Sequence, residues 1–166
     1  VYNENAGGNR NPMRGVQTEQ YLYLFNPWSD GELTMATATN GTATWKRMQV
    51  LGKEDSYVQE RVDLMKFRVP EELYDVQKDP DCRHNLIDEQ KHAEALVDLR
   101  KRMEKFMVES DDPIIEVFRQ RDDPSARKAY VEKKQAEADE RRKKQRNGKK
   151  KNNNKNKAGK EKKVAK

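Results

Sequence analysis

EELYDVQKDPDCRHNL, residues 71–86, places five carboxylates, one cysteine, one histidine and one asparagine in sixteen residues. Such a stretch is either a chemical site or the connection between two structural elements. A metal site would recruit Asp79, Asp81, Cys82 and His84, but that set mixes hard carboxylates with a soft thiolate. The only other histidine, His92, falls on an expected helix. As a nucleophile, Cys82 has Arg83 and His84 beside it in sequence, which does not make them partners in space. The connective reading accounts for more of the residues. Tyr74 and Val76 favour a strand, Asp79-Pro80 starts a turn, and Asn85-Leu86 leads to Asp88, a helix cap. The stretch therefore reads as a short strand, a loop, and the entry to a helix.

That helix is the strongest in the chain. Leu96, Leu99, Met103 and Phe106 recur at spacings of 3, 4 and 3, an apolar stripe opposite a charged face. Asp111-Asp112-Pro113 ends it, and residues 114–119 add a further turn. Upstream, residues 13–25 (MRGVQTEQYLYLF) read as a strand pair or one bent strand, stopped by the turn formers of NPWSDG. Residues 33–43 have no clear period and read as loop. Thr44 caps a helix over 45–52, and Asp55 or Ser56 caps a second with Val58, Val62, Leu64 and Met65 on one face, ended by Val69-Pro70. Asn40-Gly41-Thr42 fits a glycosylation acceptor, a three-residue pattern that also arises by chance. Trp28 and Trp45 could stack on a sugar, although packing is the commoner role of such residues.

Charge divides the chain sharply. Residues 141–166 hold fourteen Lys or Arg against one Glu, and residues 1–140 hold 21 basic against 28 acidic residues. The net +6 thus belongs to a basic tail on a mildly acidic body. Residues 122–147 are charged and helix-prone, with Glu137–Arg141 and Glu140–Lys144 at i,i+4. Residues 148–166 are Lys/Asn-rich and read as disordered. One cysteine leaves no room for an intrachain disulfide or a Cys-rich zinc site. No run is long enough to span a membrane. There is no G-x-S-x-G, phosphate loop or H-E-x-x-H. The chain opens on Val1 without a basic-then-apolar leader, the expectation for a processed chain or a piece of a longer one.

NPMRGVQTEQYLYLFNPWSDG, then VPEELYDVQKDPDCRHNL, then an amphipathic helix ending ESDDP together resemble the C-terminal part of a sulfatase. The likeness is greatest to the N-sulfoglucosamine sulfohydrolase (heparan sulfamidase) group, and it covers residues 1–119. In that family a P-M-R-x-V strand is followed by an aromatic strand. An E-L-Y-D-x-x-x-D-P-x-E-x-x-N-L connector then leads to a helix ending near D-P. The resemblance implies an α+β fold over residues 1–121, a sulfatase C-terminal subdomain of the alkaline-phosphatase-like superfamily. A small antiparallel sheet of about four strands would pack against the long helix.

It further implies a partner, a larger catalytic domain upstream in the same chain. That domain would hold a formylglycine nucleophile and calcium and act on sulfate esters or sulfamates of a sulfated polysaccharide or glycosaminoglycan. A periplasmic, extracellular or lysosomal location follows from the family. Cys82 stands where the family usually has Glu or another polar connector residue, and its following residues do not fit the C/S-x-P/A-x-R modification motif. No catalytic or metal-binding residue is therefore expected in this chain, which alone would be inactive. Glu4 matches an acidic residue bordering the family's substrate pocket, but Tyr2 and Asn3 stand where histidines often precede it. The tail has no family counterpart and is expected to make at most a weak polyanion contact. The rival reading is a free-standing, basic-tailed protein that binds nucleic acid or anionic glycans without catalysis.

Overall fold

The β-forming residues of 14–25, interrupted by Thr18-Glu19-Gln20, produce two short strands joined by a tight connection. β1 (Arg14–Gln17) pairs antiparallel with β2 (Tyr21–Phe25), Val16 opposite Tyr23, and the Thr18 amide donates to the Tyr21 carbonyl across the turn. The computed structural model describes the backbone of residues 11–35 and 38–164, and side-chain surroundings for 11–35 and 39–144. Glu4, the one substrate-binding candidate, lies outside the described residues. β3 (Glu71–Asp75) pairs antiparallel with the other side of β2, Tyr23 opposite Leu73, giving the order β1-β2-β3. The fold is α+β with a small antiparallel sheet, as the sequence implied, but among the described residues the sheet has three strands rather than about four.

Period-2 alternation sorts the sheet into two unlike faces. One carries Val16, Tyr21, Tyr23, Phe25 and Leu73 toward α3 (Ala93–Glu109), whose Leu96, Leu99, Met103 and Met107 are buried there. α4 (Ile115–Arg119) closes the same core with Val117 and Phe118, and the Phe118 ring meets Phe25 edge-on at 5.2 Å. The expected stripe needs one correction: Phe106 is 56% exposed, and Met107 is fully buried in its place. A third step of three residues rotates Phe106 to the stripe's margin, whereas four residues from Met103 return to its centre.

The helix starts also differ from expectation. Asp88 does not cap α3, because a one-turn 3₁₀ helix, Gln90–His92, intervenes and its own backbone bonds lead the chain into α3. α1 (Ala43–Leu51) is capped by Thr42, whose Oγ1 accepts from the Trp45 amide at 3.2 Å, instead of Thr44. A 3₁₀ turn at Ala38–Gly41 delivers Thr42 in an extended conformation, so the helix begins earlier. The Thr34–Phe67 bridge further orders the region read as loop. Asp55 caps α2 (Ser56–Lys66), its Oδ1 accepting from the Tyr57 and Val58 amides. Between these helices Gly52 is closely approached: a Cβ there would lie 3.1 Å from Gln59 Cα, tight enough that Gln59 would have to give by a few tenths of an ångström.

By their contacts the residues divide into two compact units, Val1–Val131 and Glu132–Lys166. The first unit thus passes beyond 121, where the sequence turns charged and helix-prone, and Tyr130 packs on its core. α5 (Pro124–Val164) begins at a cap in which Asp123 accepts from the Ser125 amide, and its backbone stays helical through the stretch read as disordered from composition. Lys, Arg, Ala and Gln favour helix by local propensity. The Glu137–Arg141 pair stands at 3.8 Å. Among the described residues no helix is long and apolar enough to cross a membrane.

Candidate functional site

Within residues 71–86, Asp75, Asp79 and Asn85 turn their side chains onto the connector's own backbone. Asp75 Oδ1 accepts from the Gln77 and Lys78 amides, and its Oδ2 accepts from Gln20 Nε2 at 3.0 Å. Those bonds, the Gln20 amide first, hold the Asp75 carboxyl below its ordinary range. Asp79 Oδ2 accepts from the amides of Arg83 (2.6 Å) and His84 (2.8 Å). Asn85 does most. Its Oδ1 accepts from the Leu73 amide at 2.9 Å, its Nδ2 donates to the Glu71 carbonyl at 3.2 Å, and the Leu86 amide donates to the Leu73 carbonyl at 2.8 Å. The loop thereby returns to cover the free edge of the strand it left, satisfying groups that would otherwise invite another chain.

The metal and nucleophile candidates do not converge. Asp81 is exposed and contributes its carbonyl to Arg61, His84 is exposed, and Cys82 is half-buried. His92 is buried elsewhere, with Nδ1 2.9 Å from the Tyr21 hydroxyl and its ring edge-on to Tyr21. Among the described residues no three His, Cys, Asp or Glu side chains are grouped as metal ligands. Burial first, and then the Asp79 carboxylate, push the Cys82 thiol above its ordinary range. A reactive cysteine needs the opposite shift. Cys82 is followed by Arg83, His84, Asn85 and Leu86, which do not match the C/S-x-P/A-x-R motif, and the Asp79 carboxylate already accepts from two backbone amides.

Trp28 and Trp45 are 3% and 6% exposed, so neither offers a face to a sugar. Asn40 is exposed, and its Nδ2 donates to the Met35 carbonyl at 3.1 Å. Beside the connector lies an open depression of about 440 Å³, bordered by Glu60, Asp63, Phe67, Arg83 and His84. Arg83 is already held over the Tyr57 ring at 3.7 Å and 3.5 Å from Glu60. Within the depression Arg83 thus pairs with Glu60, and Asp63 accepts from Gln59 Nε2 at 2.8 Å.

Three ion pairs, one fully buried and two partly buried, were not legible as pairs in the sequence. Strand alternation sends neighbours Glu71 and Glu72 to opposite faces of the sheet. Glu71 takes a two-pronged contact from Arg100 of α3, 2.9 Å from Nε and 2.7 Å from Nη2, and also accepts from the Tyr23 hydroxyl. Burial and then the Glu71 charge push the Tyr23 phenol far above its ordinary range, so it remains a donor. Burial would lower the Arg100 pKa, yet Glu71 raises it on balance. Glu72, 1% exposed, accepts from Asn26 Nδ2 at 2.8 Å, from the Tyr74 hydroxyl at 2.7 Å and from Arg68.

Arg14 spans from β1 to the turn after α3, with Nε 2.5 Å and Nη2 2.8 Å from the two Asp112 oxygens. Burial works against the Asp112 charge, but Arg14 and the Ile114 amide hold its carboxyl below the ordinary value of 3.8. Each carboxylate is matched to a planar guanidinium, the geometry that best compensates a buried charge. The available signals were acidic residues inside a β-forming run and an arginine in a strand. Glu71–Arg100 and Arg14–Asp112 tie the sheet to α3 and the turn after it, Glu72 ties β3 to the segments at Asn26 and Arg68, and none presents an activated nucleophile or base. Compared with known families and curated proteins, the chain matches no family model and no curated protein.

Proposed function

We propose that residues 1–121 form the C-terminal subdomain of a sulfatase that hydrolyses sulfate ester or N-sulfate groups of a sulfated polysaccharide. Its work is structural: it borders the substrate pocket, with Glu4 on that border, and stabilises a catalytic domain that carries the nucleophile. The observation that supports this most is the connector, where the residues of the sulfatase-like pattern have structural duties. Glu72, Tyr74, Asp75, Asp79, Asn85 and Leu86 build the strand, its turn or its edge cover. A pattern that specifies a connector should recur wherever the same subdomain is built, whatever the reaction next door. Arg14 of the P-M-R motif and Asp112 of the D-D-P motif, far apart in sequence, likewise form one buried pair. The basic tail adds a polyanion contact to the same protein.

The deciding experiment reads the coding sequence upstream of Val1 and assays the joined protein on a heparin-derived oligosaccharide. The reading expects a C/S-x-P/A-x-R motif in frame, sulfate release by the joined protein, and none by the 166-residue chain. A start codon directly before Val1, or turnover by the chain alone that Cys82→Ala abolishes, would overturn it.

A further inference from the structure

No aromatic residue follows Tyr130, and residues 141–166 carry fourteen Lys or Arg against one Glu. The α5 backbone is helical through Val164, so residues 141–164 extend roughly 36 Å at ~1.5 Å per residue. Arg141, Lys143 and Lys144 are exposed. Only Ala158 and Val164 are apolar between 141 and 164, too few for a stripe that could dock on protein. A run of like charge repels itself and concentrates counterions. It gains free energy by meeting a polyanion and releasing them.

Composition narrows the choice of polyanion. Single-stranded nucleic acid is held by stacking bases on aromatic rings, and there are none here. The forked guanidinium that reads phosphates and base edges supplies three of the fourteen charges, Arg141, Arg142 and Arg146, and lysine supplies the other eleven. Five asparagines lie among them, from Asn147 to Asn156. An amide both donates and accepts, as a sugar hydroxyl does. Ammonium groups interspersed with amides complement a polymer of sulfates interspersed with hydroxyls.

We infer that α5 from Arg141 onward is a docking arm for a sulfated polysaccharide. Resting on the sulfatase reading, the polymer it holds is the enzyme's own substrate. Binding by charge count has a consequence for turnover: the arm holds densely sulfated chains and loosens its hold as sulfate is removed. Substrate is thereby concentrated near the enzyme and depleted product is let go.

The test measures binding of the 166-residue chain to heparin, to hyaluronan (which carries carboxylates alone) and to duplex DNA at matched charge concentration. Heparin affinity should fall ~10³-fold or more between about 50 and 200 mM salt. Hyaluronan should bind several-fold more weakly. Deleting 141–166 should abolish heparin binding. Replacing Lys149→Gln, Lys150→Gln, Lys151→Gln and Lys155→Gln together preserves helix propensity and should make the salt slope shallower. A truncated chain that holds heparin as tightly as the full chain would overturn the arm. So would DNA binding tighter than heparin binding, which would make nucleic acid the occupant. Failure of the sulfatase reading shows separately, as a missing upstream nucleophile, and leaves these affinities unchanged.

Discussion

Arg14 is 3% exposed and Asp112 is 7% exposed, so their opposite charges face each other largely out of water. Removing one charge of such a buried pair costs about 3–5 kcal/mol. Asp112→Asn should therefore lower stability in a denaturant melt at neutral pH. Because the folded pKa of Asp112 is depressed, its contribution is complete above the unfolded value of 3.8 and is lost as pH falls through the lower folded value. The gap between wild type and Asp112→Asn should narrow on acidification below about pH 4. A gap that stays constant to low pH would mean the loss is one of shape and not of charge. Cys82 makes the opposite case. Its backbone sits at φ +51, where a non-glycine residue is strained, and its thiol is not activated. Cys82→Gly should be neutral or stabilising by up to ~1 kcal/mol, since relief of strain offsets glycine's greater unfolded-state freedom. A loss of several kcal/mol in the same melt would show that the side chain has a packing role.

Among the elements, α3 provides the sharpest contrast. Leu99 is 1% exposed in the core, and Leu99→Ala should cost about 2–5 kcal/mol. Phe106→Ala, at a side chain 56% exposed, should stay within about 0.5 kcal/mol despite the larger truncation. Equal effects would place Phe106 back in the stripe. The periodicity of Leu96, Leu99 and Met103 was legible because a helix repeats locally, and one face can be counted without knowing its partner. The strand count, the Thr42 cap and the 3₁₀ entry to α3 were less legible because they depend on geometry between segments. Asn85 shows the limit best. Its neighbours identify a loop, yet its task is to cover Leu73 and Glu71 of β3, a pairing fixed only once the chain turns back. Asn85→Ala leaves the Leu73 amide without its acceptor and should cost about 1–3 kcal/mol in a melt. Asn85→Asp keeps an acceptor at that atom but loses the donor to Glu71. It should retain more stability than Asn85→Ala, and the reverse order would assign the role to the Nδ2 donor.

At the scale of the whole molecule, the last prediction separates compact structure from charge. A change of composition after 121 marks the end of the body in the sequence, but the first compact unit continues to Val131. In that interval Tyr130 packs against the core, and Arg127 donates to the Arg121 carbonyl. Neither contact announces itself in sequence, since one tyrosine in a charged run is no stripe. A chain ending at 140 keeps both contacts and discards only the basic arm, so its melting temperature should match that of the full chain. A chain ending at 122 uncovers the core surface under Tyr130 and should melt lower, by about 2–8 °C for each kcal/mol lost. Heparin retention should divide the same two variants differently, because both lack residues 141–166 and both should lose it. Stability would then follow the boundary at 131, and polyanion binding the charge step at 141. Equal melting of all three chains would return the body's end to 121 and leave Tyr130 without a structural role. A fall in melting temperature already at the 140 truncation would show that the basic helix is part of what holds the body folded.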